Sequence, residues 1–163
     1  LKAPLGVYAV LGNNDYARPV PALRAALSDA GIGLLRNETI KTGAFSIAGI
    51  DDEWTGRDDI AATFAALPAG TIPLVLSHGP DVTPDLPAQA KLVFAGHTHC
   101  GQIVFPVIGP LVNMSSHGNR YHCGHIEEAG RHIFVTAGLG TSMLPLRFGA
   151  VPDMWLVTLR PER

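Results

Sequence analysis

The stretch that decides the fold is KLVFAGHTHC, residues 91–100. Its apolar run, residues 92–95, is predicted to be a buried strand, and His97 and His99 follow almost at once. A tight turn at Gly96 can aim both imidazoles into one site, and neutral imidazole is a common ligand for zinc, iron and manganese. The stretch therefore predicts a metal site at the end of a strand, although a pair of histidines alone is weak evidence.

Two other apolar runs end in the same way. Residues 7–11 lead into Gly12-Asn13-Asn14-Asp15, and residues 72–76 lead into Ser77-His78-Gly79. Polar groups that carry chemistry are often found at the carboxyl ends of such strands. The three strand ends together predict one site at one edge of a sheet, with these candidate metal ligands: Asn13, His78, His97 and His99.

The remaining pattern predicts an α/β chain forming a single domain over residues 1–163, with parallel units first and antiparallel strands last. The first strand, residues 6–11, is expected to be covered on both faces because its apolar run is continuous. The other predicted elements are helices at 19–30 and 58–67, antiparallel strands at 39–41 and 44–47, a hairpin formed by 119–126 and 132–137, and a last strand at 154–159.

Composition narrows the functional classes. The chain has 163 residues, of which 47% are hydrophobic and 16% charged, so it is globular rather than disordered. A net charge of −2 gives no electrostatic reason to expect nucleic acid as a partner. No apolar run approaches the length of a membrane span. Cys100 and Cys123 are interpreted as small, partly buried thiols, since nothing in the sequence requires a bridge between them.

The four candidate ligands bring no negative charge. A divalent ion normally needs at least one carboxylate, especially one that bridges a pair of ions. Asp15 is interpreted as a cap, Asp81 is not a convincing bridge, and the acidic run Asp51-Asp52-Glu53 is expected to be a solvated loop or a cap rather than a second metal site. The ligand set therefore looks like part of a two-metal site whose acidic half is missing.

These motifs carry a family resemblance. The blocks Gly12–Asp15, Ser77–Asp81 and Gly96–Gln102 resemble, in order and spacing, those of the calcineurin-like metallophosphoesterases, and specifically a bacterial subgroup of phosphodiesterases and pyrophosphatases. The resemblance covers nearly the whole chain. It implies half of a four-layer α/β/β/α sandwich with mixed sheets.

The resemblance also implies roles for the ligands. Asn13, His78 and His97 would bind one metal and His99 the other, so that the complete protein holds two divalent ions of manganese, iron or zinc. The family's earlier blocks, Asp-x-His and Gly-Asp-x-x-Asp, are absent, and they are expected upstream of Leu1 in an N-terminal half of the same domain.

Asn14 departs from the family pattern. The family usually has histidine here, acting as the acid at the leaving group. An asparagine can donate a hydrogen bond but cannot deliver a proton, and the loss of a general acid can cost about a hundredfold for a poor leaving group. Asn14 is nevertheless expected to lie near the substrate, at the position of the family's catalytic histidine.

Two further residues are candidate substrate contacts. Arg147 is a plausible phosphate ligand because guanidinium suits phosphate oxygens, but it could equally pair with Asp153. His117 lies in a loop that could face the substrate. His122, His125 and His132 are interpreted as solvated residues of the hairpin, and Trp54 and Trp155 as packing residues.

The function predicted is a metal-dependent phosphoesterase that hydrolyses a phosphomonoester, phosphodiester or pyrophosphate bond with a metal-activated water. Its substrate would be a phosphorylated small molecule or a lipid-linked one, and the protein is expected in the cytoplasm or peripheral to the inner membrane. One alternative is a catalytically weak metal-binding module that recognises a phosphorylated ligand. Another is a purely structural zinc site, which predicts unfolding on chelation.

Overall fold

The computed structural model describes residues 2–160, so the predicted domain bounds 1–163 extend slightly beyond the described part of the chain. These residues form an α/β fold with a mixed sheet, which confirms the predicted fold class at that level. The helices are α1 (Val20–Asp29) and α2 (Ile60–Ala65). The strands are β1 (Val7–Ala9), β2 (Ile32–Leu34), β3 (Glu38–Thr42), β4 (Phe45–Gly49), β5 (Ile72–Leu76), β6 (Leu92–Ala95), β7 (Val104–Phe105), β8 (Gly109–Pro110), β9 (Gly124–Glu128) and β10 (Arg131–Val135).

The main sheet has the strand order β3-β4-β5-β6-β10-β9. Its four central strands are parallel, and β3 and β9 are antiparallel edge strands. The carboxyl ends of β5 and β6 therefore lie side by side. Backbone pairing continues past both strands, because the Gly96 amide donates to the His78 carbonyl at 2.8 Å. This pairing carries two of the predicted motifs to the same edge.

The hydrophobic core lies on one face of this sheet. Val75, Val93 and Ile133 are fully buried there, and Ile60 and Phe64 of α2 pack against the same cluster. Residues in the alternate positions, such as Leu74, Phe94 and Phe134, are only half-buried. The sheet thus has one well-covered face and one apolar face that is only partly covered by the described residues.

The first strand differs from its prediction. β1 pairs in parallel with β2 in a separate two-stranded sheet, and its three residues are half-buried rather than covered on both faces. Val20, Leu23 and Leu27 are the half-buried positions of α1, the helix that packs on β2. The prediction was wrong because a continuous apolar run does not say how many layers cover it.

The predicted last strand is also wrong. Residues 151–160 contain no regular element, and Trp155 packs against Phe134 with ring centroids 5.3 Å apart. Asp153 fixes the entry to this segment by accepting a 2.8 Å hydrogen bond from the Ala137 amide. The apolar pattern therefore reflects partial packing on the sheet face rather than pairing in a ladder. No helix within residues 2–160 combines the length and the apolar character that crossing a membrane requires.

The two cysteines form a disulfide, which corrects the interpretation of Cys100 and Cys123 as thiols. Their Cα atoms lie 4.9 Å apart, although 23 positions separate them in sequence. The bridge ties the loop after β6 to the start of β9. Nothing local in the sequence predicts this pairing, because it depends on how the sheet brings β6 and β10 together.

We expect Cys123→Ser to lower the free energy of unfolding by about 3 kcal/mol, because the bridge closes a loop of this length in the unfolded chain. Urea denaturation of the oxidised protein measures the loss. A reducing agent should destabilise the wild type by a similar amount and leave the variant unchanged. Equal stability of variant and wild type under oxidising conditions would contradict the expectation.

Candidate metal centre

Three of the four predicted ligands converge at the edge of the main sheet. His78 Nε2 lies 3.0 Å from Asn13 Oδ1 and 2.9 Å from His97 Nδ1. His78 follows β5 by two residues, His97 follows β6 by two residues, and Asn13 begins the helical turn Asn13–Ala17 beyond β1. The structure thus brings together the groups that the strand ends suggested, while their binding of metal stays a prediction.

The protonation of these groups suits a cation. Burial, and then the charge of His97, lowers the pKa of His78 to about 4, and burial lowers the pKa of His97. Both rings are therefore neutral near pH 7. The Asn13 Oδ1 atom can only accept, and a single N–H between the two facing nitrogens cannot satisfy both contacts of His78 Nε2. The resulting excess of lone pairs at one point fits a divalent ion bound by nitrogen and oxygen.

A glycine makes this convergence possible. A Cβ atom at Gly12 would lie 2.5 Å from the His78 ring, so any larger residue would displace that ring. The Gly12 amide also donates to Asp15 Oδ2 at 2.8 Å, which fixes the start of the turn. The interpretation of Asp15 as a cap is therefore confirmed.

The loop from Gly96 to Gln102 is held in an unusual backbone conformation. It contains four non-glycine residues in the left-handed region, namely His97, His99, Cys100 and Gln102. Such residues cost of order 1 kcal/mol or more each and persist only where the surroundings fix them. Here Thr98 donates to the His122 carbonyl at 2.8 Å, and the Gln102 amide bonds to Ser142 and Leu144 at 2.6–3.0 Å. The loop that contains two predicted ligands, His97 and His99, is therefore held in a strained backbone conformation by contacts with its surroundings.

His99 stands apart from the other three predicted ligands. Within residues 2–160, no hydrogen bond joins it to them, and its Nδ1 lies 3.2 Å from Arg147 Nη2. Burial, followed by the charge of Arg147, lowers its pKa. Since an arginine can only donate, Nδ1 acts as the acceptor here and the Nε2 of the neutral ring carries the proton. Binding of metal through Nε2 would require the other tautomer.

Arg147 acts as a brace in this structure. Its guanidinium donates to the carbonyls of His99, Ala137, Gly138 and Gly140. Asp153, the alternative partner, instead accepts from Thr136 and Ala137. Most of the Arg147 donors are thus used on backbone around the loop of His99, and the role of Arg147 in phosphate binding stays a prediction.

Asp51 and Asp52 of the acidic run are buried, so the expectation of a solvated loop was wrong, whereas Asp52 caps the turn that follows by accepting from the Thr55 amide at 2.9 Å. Asp51 is 2% exposed and Asp52 is fully buried. Asp51 accepts from the Tyr16 hydroxyl, and from Arg36 Nε at 2.9 Å. Burial, together with the hydrogen bond and charge of Asp51, raises the pKa of Tyr16 to about 12, so that the phenol keeps its proton and donates. Asp51 therefore anchors the turn that carries Asn13.

Glu53 and Trp54 bring this same loop to the ligands. A Cβ atom at Gly79 would collide with Glu53 Oε1, so Glu53 packs directly on the residue after His78. Burial raises the pKa of Glu53 to about 7. The Trp54 ring, predicted only to pack, is 52% exposed and lies 5.0 Å from the His97 ring.

A positional signal for the acidic run was present in the sequence. Asp51 and Asp52 follow β4, whose carboxyl end lies beside that of β5 because these two strands are parallel. The hairpin pattern of residues 39–47 predicts β4 only as half of an antiparallel pair. A parallel alignment of β4 with β5 would have placed both carboxylates near the predicted site.

The two remaining predicted site residues are accessible. Asn14 is exposed in the turn Asn13–Ala17, and His117 is exposed with its ring 5.5 Å from that of Tyr121. The loop of His117 is fastened to the motif after β5, because Ser115 Oγ and the Ser116 amide each donate to Asp81 at 2.6 Å. Their contact with a substrate stays a prediction.

An apolar cleft of about 220 Å³ borders His99. Its walls come from the loop after β6 and from the segments around residues 111–114 and 142–144. Most of the lining is aliphatic or thioether, contributed by Ile103, Leu111, Val112, Met114, Met143 and Leu144. The sequence does not predict this cleft, because its walls come from segments that have no periodic apolar pattern.

Comparisons with known proteins find relatives that match nearly the whole chain. The chain is 35% identical to the uncharacterized metallophosphoesterase YkuE of Bacillus subtilis, covering 98% of this chain and 58% of that protein. It is 31% identical to an uncharacterized metallophosphoesterase of Aquifex aeolicus, covering 98% and 63%. It is 33% identical to the phosphodiesterase YaeI of Escherichia coli, covering 93% and 57%. No family model and no solved structure matches.

Relatives that match nearly the whole chain at 31–35% identity are named metallophosphoesterases, which confirms the resemblance to that family. The names of its relatives support a phosphoesterase function in general, with divalent metal as the cofactor class. The chain spans about 60% of the length of these relatives.

Proposed function

We propose that this chain supplies part of the centre of a metal-dependent phosphoesterase that hydrolyses a phosphomonoester, phosphodiester or pyrophosphate bond. The observation that carries the proposal is the convergence of three ligand atoms at one edge of the sheet. His78 Nε2 lies 3.0 Å from Asn13 Oδ1 and 2.9 Å from His97 Nδ1. Two neutral imidazoles and an amide oxygen form a donor set suited to manganese, iron or zinc. We further propose two ions, with His99 contributing to the second.

The metal ions, when bound, would activate a water and stabilise charge on the phosphoryl oxygens. The chain's own residues prepare for this. The lowered pKa of His78 keeps its ring neutral near pH 7, so that one ring nitrogen has a lone pair for a cation. The strained loop after β6 and the Asp51 anchor fix the ligand positions before a substrate arrives, which lowers the cost of reorganisation during reaction.

The proposed four-layer sandwich is supported by the uneven cover of the main sheet. One face is packed by α2, whereas Leu74, Phe94 and Phe134 on the other face remain half-buried in the described residues. A second sheet, to which β1 and β2 would belong, would cover this apolar face over the central strands β5 and β6, leaving the β9–β10 hairpin at the edge of the sheet uncovered. We propose that an N-terminal half of the same domain provides it, together with the carboxylate ligands.

The proposed substrate is a phosphorylated small molecule or a lipid-linked phosphate. The apolar cleft that borders His99 favours a substrate whose organic part is itself apolar. Burial of an apolar group in this cleft would contribute to the binding energy. Exposed Trp54 beside His97 offers a second surface for this part of the substrate.

A catalytically weak metal-binding module is the second candidate function. Asn14 favours it, because this exposed residue of the ligand turn cannot deliver a proton to a leaving group. The two functions predict different results with an ester whose leaving group departs without a general acid. An enzyme would still hydrolyse an activated aryl diester, whereas a binding module would not.

We expect the wild-type protein to hydrolyse an activated aryl phosphodiester, and Asn14→His to change that rate little. On an alkyl diester the same variant should gain about a hundredfold, because a general acid assists only the poor leaving group. Initial rates in manganese on both esters measure the effect. Asn119→His, a change at another exposed asparagine, is the matched control and should alter neither rate. Absence of hydrolysis of either ester by the metal-loaded wild type would overturn the enzyme proposal.

A further inference from the structure

We propose that the β9–β10 hairpin holds a second, separate metal site, formed by His125, Glu127 and His132 and suited to zinc or to a similar divalent transition metal. All three side chains are exposed, and their ligand atoms lie within 4.8 Å of one another. The proposal does not depend on the function of the centre at the carboxyl ends of the strands.

Strand register places the three side chains on one face. His125 and Glu127 are two residues apart on β9, so they point the same way. His132 of β10 is paired directly with Glu127, and Phe134 with His125. Cross-strand neighbours in an antiparallel pair face the same side of the sheet. Nothing local has to rearrange for the three groups to face a common point.

The distances between the ligand atoms are close to those of a tetrahedral metal site. His125 Nε2 lies 3.0 Å from His132 Nδ1, and Glu127 Oε1 lies 3.8 Å from the former atom and 3.5 Å from the latter. Zinc binds histidine nitrogen and carboxylate oxygen at about 2.0–2.1 Å, so two ligand atoms of a tetrahedral site stand about 3.3 Å apart. Small side-chain adjustments would bring all three atoms to an ion and leave a fourth position open for water.

The hairpin is rigid where the ligands sit. Its two-residue turn has both Ala129 and Gly130 at positive φ, the conformation of a tight hairpin turn that fixes register. The His125 ring stacks on Phe134 with centroids 4.5 Å apart and planes 5° apart. Arg131 fastens the start of β10 by donating to the carbonyls of Thr83, Leu86, Pro87 and Ala90. A preorganised set of ligands loses little entropy when an ion binds.

The cluster also has its own charge. Arg120 is paired with Glu128, the residue after Glu127, and so does not neutralise the Glu127 carboxylate. One carboxylate and two imidazoles are a common ligand set for zinc. The cluster belongs to the outermost strand of the sheet and its neighbour, whereas Asn13, His78 and His97 gather beyond the ends of β1, β5 and β6.

The test is a calorimetric zinc titration of the metal-stripped protein as its source makes it. The variants are His125→Gln/His132→Gln and Glu127→Gln, with Glu38→Gln on edge strand β3 as the matched control. All these positions are exposed, so circular dichroism should show an unchanged fold. We expect the double variant to lose one zinc-binding event that the wild type and Glu38→Gln retain. We expect Glu127→Gln to weaken that event by more than about tenfold, since even outer-shell losses cost 10- to 100-fold.

Hydrolysis of the aryl diester is the second readout. The double variant should hydrolyse it at the wild-type rate, because the hairpin cluster is separate from the proposed phosphoesterase centre. An identical number of binding events and identical affinities in wild type and double variant would overturn the site. A loss of hydrolysis together with the binding event would overturn its independence from that centre.

Discussion

Replacing His97 by alanine is expected to reduce hydrolysis of an activated phosphodiester by at least about a hundredfold, because metal ions supply several kcal/mol of charge stabilisation in such reactions. The His97 Nδ1 atom lies 2.9 Å from His78 Nε2, so its removal leaves the donor set one ligand short. His97 also contacts exposed Trp54, which would lose its support. Initial rates at saturating manganese or zinc measure the effect.

His125→Ala is the matched control for this experiment. His125 is an exposed histidine on an edge strand, remote from the convergence of Asn13, His78 and His97. Its replacement should leave the rate within a factor of about two, and thermal unfolding should show that the His97 variant still folds. Hydrolysis by His97→Ala at the control rate would contradict the role of His97 as a ligand.

Replacing Asp51 by alanine is expected to cost about 3 kcal/mol of stability, because it removes a buried, charged acceptor and leaves its hydrogen-bond donors unpaired. Asp51 is 2% exposed and accepts from both the Tyr16 hydroxyl and Arg36 Nε. Its loss leaves the Tyr16 donor, whose pKa is raised to about 12, without an acceptor. Urea denaturation of the two proteins gives the difference in the free energy of unfolding.

The effect of Asp51→Ala should extend to the candidate metal centre. Tyr16 and Asn13 belong to the same turn, Asn13–Ala17. Loss of the hydrogen bond between Tyr16 and Asp51 therefore loosens the turn that positions Asn13 Oδ1. Asp29→Ala, at an exposed position near the end of α1, is the control and should change stability by less than about 0.5 kcal/mol. A similar small change for Asp51→Ala would show that the buried network does not hold the turn.

The elements nearest the site were predictable because their signals are local. β5 and β6 have the predicted bounds of residues 72–76 and 92–95, since short apolar runs that end in glycine or small polar residues leave little choice. The helix predicted at 19–30 is observed as Val20–Asp29. The convergence of His78 with His97 followed from placing two strand ends at one edge of a parallel sheet.

Features that depend on long-range pairing were not predictable in the same way. The burial of Asp51 and Asp52 follows from the parallel pairing of β4 with β5, which a hairpin pattern conceals. The Cys100–Cys123 bridge depends on β10 lying beside β6. A hairpin of strands 119–126 and 132–137 was predicted, and the structure forms it from Gly124–Glu128 and Arg131–Val135, with a helical turn at Gly118–Tyr121 instead of strand. The clustering of its two histidines with Glu127 depended on a register that the sequence alone does not set.

Anomalous diffraction at the zinc edge, from crystals of the protein as its source makes it, tests the central claim most directly. We expect a peak about 2 Å from Asn13 Oδ1, His78 Nε2 and His97 Nδ1, the bonding distance for such donors. The absence of any peak at this position in zinc-loaded crystals that retain the loop after β6 would contradict the assignment of these residues as metal ligands.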